Sequence, residues 1–120
     1  MASDIACSLT QKKCKPCEGG VPPLAPDAVQ NYLSGLPGWQ LTENKKGIFR
    51  TWKFKDFLSA MDFLNHIAHV AEDNDHHPDF HLTGYRNVKI EMTTHAIDGL
   101  SENDFILAAK IDEVPTALKK

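Results

Sequence analysis

Apolar and polar positions alternate with two different periods along this chain. From Pro26 onward, Val29, Leu33 and Leu36 fall on one helical face with Tyr32 beside them, and Gly35, Pro37 and Gly38 end the run. Pro26 suits a first helical turn, and Asp27 favours the positive end of the helix dipole. Trp39 to Thr42 reads as a strand, Asn44-Lys45-Lys46-Gly47 as a hairpin turn in which Asn and Gly take positive φ at little cost, and Ile48 to Phe54 as the partner strand. Phe57, Met61, Leu64, Ala68 and Ala71, widened by Ala60 and Ile67, predict a long helix that starts near Asp56 and ends before Pro78. Phe80 to Leu82 reads as an edge strand and Gly84 to Asn87 as a turn. Val88, Ile90 and Met92 alternate with polar neighbours in a strand that carries on through Thr93 and Thr94 to His95. Ser101-x-x-Asp104 predicts a reciprocal cap on a last helix through Ile106, Leu107 and Ile111, limited by Pro115. The fold class is therefore α+β: an antiparallel sheet of about four strands with about three helices on one face.

Residues 1–23 show no periodicity and end in Gly19-Gly20-Val21-Pro22-Pro23, which predicts an extended or flexible arm adding little to the core, ahead of one domain over residues 24–120. At 120 residues, 42% hydrophobic and 24% charged, the chain has the composition of an ordinary globular domain. A net charge of −3 argues against nucleic acid as a direct partner. No apolar run is long enough for a membrane span, and the start of the chain resembles neither a secretory signal nor a transit peptide, so an intracellular, cytoplasmic protein is expected, with an organelle left open. Cys7, Cys14 and Cys17 all lie in the arm; Cys14-Lys15-Pro16-Cys17 lacks both a second ligand pair and a βαβ context, so reduced thiols are the plain reading.

Candidate chemistry concentrates in the histidines, of which there are six. His76 and His77 stand together before Pro78, just past the long helix, flanked by Asp73 and Asp75 with Glu72 a turn upstream, and His95 follows Thr93 and Thr94. An imidazole titrates near neutral pH and can both take and give a proton in one turnover, while nearby carboxylates fix its tautomer. His66 and His69 fall on the polar side of the long helix and His81 reads as an exposed strand residue. A zinc hydrolase using His76, His77 and His81 is a rival reading, though the chain has no HExxH spacing.

The pattern Glu72-x3-His76-His77-Pro78-x6-Tyr85-x9-His95-x8-Asp104 resembles the signature of the pterin-4a-carbinolamine dehydratases. Phe54-Lys55-Asp56-Phe57 and Gly99-Leu100-Ser101 look like that family too, and the resemblance spans roughly residues 24–118. It implies loss of water from a 4a-hydroxytetrahydropterin to give the quinonoid dihydropterin, with neither metal nor organic cofactor. It also implies His76 and His95 as proton-transfer residues and His77 as the residue that binds and orients the pterin. Glu72, Asp75, Pro78, Phe80, Thr93, Thr94 and Asp104 are implied around the substrate. Phe80 stands where many members have Trp, and Asn103 where Arg is frequent. A homodimer or homotetramer is expected, and a non-catalytic assembly role is the alternative, since some proteins of this family resemble scaffolds.

Overall fold

A computed structural model of the chain describes Leu9, residues 22–114 and residue 116. The elements run α1 (Pro26–Ser34), β1 (Gln40–Leu41), β2 (Ile48–Lys53), α2 (Phe57–Asn74), β3 (Asp79–Thr83), β4 (Asn87–Met92), a 3-10 turn (His95–Ile97) and α3 (Glu102–Asp112). The four strands form one antiparallel sheet in the order β1-β2-β4-β3. The period-2 pattern sorts its two faces. Ile48, Trp52, Val88, Ile90 and Met92 are buried against the helices, whereas Thr51, Lys53 and His81 lie on the open face. The expected α+β architecture with helices on one face is what the chain adopts.

Phe63 of α2 meets both Trp52 (ring centroids 5.0 Å apart) and Phe54 (4.9 Å), so one aromatic side chain ties the long helix to β2. Trp39 lies edge-on to Trp52, and its indole N–H donates to Asp112 at 2.9 Å, beside the Arg50 guanidinium at 2.7 Å. Burial pushes the Asp112 carboxyl above the usual aspartate range, and these two donors pull the other way.

Several sequence expectations need correction. The buried stripe of α2 is Ala60, Phe63, Leu64, Ile67, Ala71 and Asn74, whereas Phe57 is half-exposed and Ala68 exposed. The helix is turned relative to the stripe read from Phe57, Met61 and Ala68 because Phe63 seeks the β2 aromatics. In the β1–β2 hairpin the positive φ falls on Lys45 (62°), with Asn44 instead accepting the Lys46 amide through its side chain. The strand β4 stops at Met92, so Thr93, Thr94 and His95 lie beyond it. Leu9, placed in an arm by the sequence reading, is 1% exposed and belongs to the core. Cys7, Cys14, Cys17 and Pro115 lie outside the described residues. Among the described residues no helix is long and apolar enough to cross a membrane.

Ile67→Ala should cost about 2–5 kcal/mol and Ala68→Gln less than about 0.5 kcal/mol, read by urea denaturation. A chain starting at Val21 loses the buried Leu9 side chain and should be less stable by about 1.5–3 kcal/mol; an unchanged urea midpoint would show that Leu9 contributes nothing to the core. At the start of α2, Asp56 accepts from the Ser59 amide at 2.8 Å, and hydrogen bonding to Ser59 holds its carboxyl below the usual aspartate range. A lowered folded pKa stabilises above the unfolded value. The stability gap between wild type and Asp56→Ala should therefore hold at neutral pH and close as pH falls below 3.8.

Candidate active site

The site begins with the way α2 ends. Asp75 closes the helix in the left-handed region (φ 50°, ψ 40°), a conformation that aspartate tolerates better than most side chains. The amides of Asp75 and His76 return to the carbonyls of Glu72 and Ala71 at 3.2 Å each. This turn separates the two adjacent histidines. The His76 side chain is only 11% exposed, while His77 stays out in solvent beside Glu72, with Nε2 2.7 Å from Oε1.

His76 Nε2 lies 2.7 Å from Oδ1 of Asp104, whose side chain is completely buried. The second carboxyl oxygen, Oδ2, accepts from the Thr94 hydroxyl at 2.8 Å and from the Ser101 amide at 3.0 Å. Ser101 and Asp104 form the reciprocal cap of α3, and the Ser101 and Thr94 hydroxyls are 2.7 Å apart. Asp104 thus caps its own helix and also holds the histidine at the end of another.

The loop beyond β4 is pinned at several points. Thr94 and Gly99 exchange backbone hydrogen bonds across the 3-10 turn, at 2.9 and 3.5 Å. A Cβ on Gly99 would meet the Pro23 ring at 2.8 Å, and next to it the Leu24 amide donates to the Leu100 carbonyl at 2.9 Å. The Thr93 hydroxyl donates to the carbonyls of Lys46 and Gly99, tying the loop to the β1–β2 hairpin. From α1, the Tyr32 hydroxyl donates to Glu102 at 2.8 Å while its ring stacks on Phe105. Burial, and then the adjoining carboxylate, push the Tyr32 phenol up to about 12.

Of the residues implied by the resemblance, His76, Thr94 and Asp104 form one bonded cluster. His95 is exposed at the start of the 3-10 turn, next in the chain to Thr94. Glu72 and His77 form a separate exposed pair, and Asp75 shapes the helix end. Pro78 is partly buried, and Phe80 is 38% exposed on β3. Asn103 is buried next to Asp104. The hydroxyls of Thr93 and Thr94 both donate within the protein. His81 lies on the open sheet face, paired in register with Lys89, away from the core-facing His76. No group of three or more His, Cys, Asp or Glu side chains among the described residues is placed to hold a metal ion. Ser101 and Tyr32 were not singled out from sequence as parts of the site. Ser101 is legible as a cap and as part of the Gly99-Leu100-Ser101 resemblance, and the Tyr32–Glu102 contact joins residues 70 positions apart, too far for any local pattern to reveal.

Fold and site together define a small α+β protein with a histidine anchored on a buried carboxylate. The family model described as pterin 4 alpha carbinolamine dehydratase matches residues 22–114, and the chain belongs to that family of dehydratases. A protein of Nitrosomonas eutropha bearing the pterin-4-alpha-carbinolamine dehydratase name is 53% identical over 107 residues, covering 88% of this chain and 92% of its own length. A mitochondrial pterin-4-alpha-carbinolamine dehydratase of Arabidopsis thaliana is 45% identical over 109 residues, 88% of this chain and 58% of its own. Among solved structures, a transcriptional coactivator/pterin dehydratase from Brucella melitensis superposes with a TM-score of 0.71 at 34% identity, covering 75% of this chain and 95% of that one. A pterin dehydratase-like RuBisCO assembly factor of the alpha-carboxysome shares the fold at 21% identity, with a TM-score of 0.53 over 62% of this chain and 86% of its own.

Asp104→Ala should destabilise the protein by about 2–4 kcal/mol, because it leaves the Thr94 hydroxyl and the Ser101 amide without their acceptor and removes half of the cap. Glu72→Ala, which breaks only the exposed pair with His77, should change stability by less than about 1 kcal/mol. Equal effects in urea denaturation would contradict this division of the site.

Proposed function

We propose that this chain dehydrates a 4a-hydroxytetrahydropterin, releasing water and the quinonoid dihydropterin. The observation that carries the proposal is the His76 ring held at one nitrogen by the buried Asp104 carboxylate, in a chain of the matching family. The reaction breaks the C4a–oxygen bond and removes the proton from ring nitrogen N5. The leaving hydroxyl needs a proton and the nitrogen must lose one, so no electrons change hands. His76 and His95 are the two imidazoles proposed to serve these transfers. His76 is fixed and largely buried, while His95 is exposed one residue beyond Thr94. His77, exposed and paired with Glu72, is proposed to bind and orient the ring. Phe80, partly exposed on the edge strand, offers an apolar surface to a flat heterocycle.

The same reading includes a catalytic domain over residues 24–120, a homodimer or homotetramer, and turnover without a metal ion. Self-association is supported by the outer edge of β3 and by the exposed Phe57, Leu58, Phe80 and Tyr85 side chains.

The test follows quinonoid product by ultraviolet absorbance from chemically generated 4a-hydroxytetrahydropterin. His76→Ala and His95→Ala should each slow turnover about 100-fold or more, and His77→Ala should mainly raise KM. Full wild-type turnover of both carbinolamine stereoisomers by both His76→Ala and His95→Ala would overturn the mechanism. Dialysis against a strong chelator should leave the rate unchanged; stoichiometric zinc whose removal abolishes activity would favour the hydrolase reading instead.

A further inference from the structure

The hydrogen bonds around Asp104 run in one direction only, and that direction assigns a tautomer to His76. Asp104 accepts at both oxygens, so the Thr94 hydroxyl, 2.8 Å from Oδ2, must use its hydrogen there. Thr94 then has only lone pairs left for Ser101, and of the two hydroxyls 2.7 Å apart it is Ser101 that donates. The Ser101 side chain in turn faces the Asp104 amide in the helix cap, and that amide also donates to the Ser101 carbonyl at 3.2 Å. The ring closes on itself: Asp104 amide to Ser101 hydroxyl, Ser101 hydroxyl to Thr94 hydroxyl, Thr94 hydroxyl to Asp104 carboxylate. The Ser101 amide adds a second donor to Oδ2 at 3.0 Å. Oδ1 remains for one partner, His76 Nε2 at 2.7 Å, and that partner has to donate.

We propose that Thr94 is a positioning residue: by orienting the Asp104 carboxylate it holds neutral His76 in the Nε2–H tautomer, so that Nδ1 is the atom that exchanges protons with the substrate. Every group of the ring belongs to the cap and first turn of α3 or to the loop before it that the Thr94–Gly99 bridge closes, so the direction in which Asp104 offers Oδ1 to His76 is set by backbone geometry. Thr94 is 3% exposed and its hydroxyl is engaged at Asp104 and Ser101, which fits a supporting part better than a substrate contact. Among the described residues no buried side-chain nitrogen or oxygen lacks a partner. Nδ1 of His76 bonds to none of them, so it is not sealed in the interior and is the nitrogen left for a ligand. A carboxylate behind an imidazole that fixes its tautomer is a general device for keeping the opposite nitrogen ready as a base.

The functional half of this inference rests on the dehydratase reading; the tautomer does not. The test uses the full chain labelled with nitrogen-15 on histidine, with His76 assigned by comparison with His76→Gln, at a pH where the ring is neutral. Long-range proton–nitrogen spectra should place Nε2 in the protonated, pyrrole-like range and Nδ1 in the unprotonated, pyridine-like range. Thr94→Val, which keeps the shape and removes the hydroxyl, should mix the tautomers and lower kcat about tenfold or more with KM within about twofold. Thr94→Ser should restore both the spectrum and kcat. A wild-type His76 protonated at Nδ1 would overturn the assignment, and this measurement stands even where Thr94→Val does not fold. Thr94→Val with unchanged tautomer and unchanged kcat would overturn the positioning role. Absence of pterin turnover in the wild-type chain would overturn the dehydratase reading, while the spectrum alone still decides the tautomer.

Discussion

A carboxylate with no solvent exposure is the constraint on which this molecule is organised. Leaving Asp104 unpaired in the interior would be costly, so the surrounding chain has to bring donors to it. It does so from three directions: His76 from the end of α2, Thr94 from the loop after β4, and Ser101 from the cap of α3 itself. His76 is 28 positions from Asp104 in the chain, and each of the three donor distances is 3.0 Å or less. The charge that makes α3 start where it does also fixes the imidazole proposed for proton transfer. Folding and the proposed chemistry therefore share one set of hydrogen bonds.

The sheet explains why those segments meet. Only one face of β2 and β4 is apolar, so α2 and α3 both have to cover it. Phe63, wedged between Trp52 and Phe54, sets the rotation of α2 about its axis. Lys110 of α3 donates to Asn74 in the last turn of α2 at 3.0 Å, joining the two helices near the end from which His76 emerges. With α2 fixed on both counts, the left-handed turn at Asp75 sends His76 inward and leaves His77 in solvent. Adjacent histidines acquire different environments from a single backbone angle.

Much of this was legible in the sequence, for identifiable reasons. The strand pattern at Val88, Ile90 and Met92 and the Ser101–Asp104 cap are local signals, and both hold in the structure. On α2, Ala60, Leu64, Ile67 and Ala71 face the core as their spacing predicts, whereas Phe57, Met61 and Ala68 lie outside the buried set and Phe63 inside it, because the deciding partner, the Trp52 and Phe54 rings, is not visible in the helix's own periodicity. The strand was extended to His95 because Thr93 and Thr94 are β-branched; the structure uses their hydroxyls to build a loop instead. Asp104 was legible as a cap and as a signature residue, but its bond to His76 spans 28 positions and no local rule predicts it. Leu9 escaped for the same reason, being an apolar residue without periodic neighbours that nonetheless reaches the core.

The fold alone does not say what such a protein does. A RuBisCO assembly factor shares it at 21% identity, and at that distance the likeness is one of architecture. The difference between a scaffold and a catalyst must lie in side chains, and here His77 and His95 are exposed while His76 is largely buried. His77 and Glu72 sit at the surface, where the pair adds little to stability. His76 is tied to a buried carboxylate that is itself held by Thr94 and Ser101. A helix cap alone would be complete with Ser101 and Asp104. The addition of Thr94 on one carboxyl oxygen and an imidazole on the other exceeds what capping requires, and a histidine so oriented suits the proton transfer proposed for it.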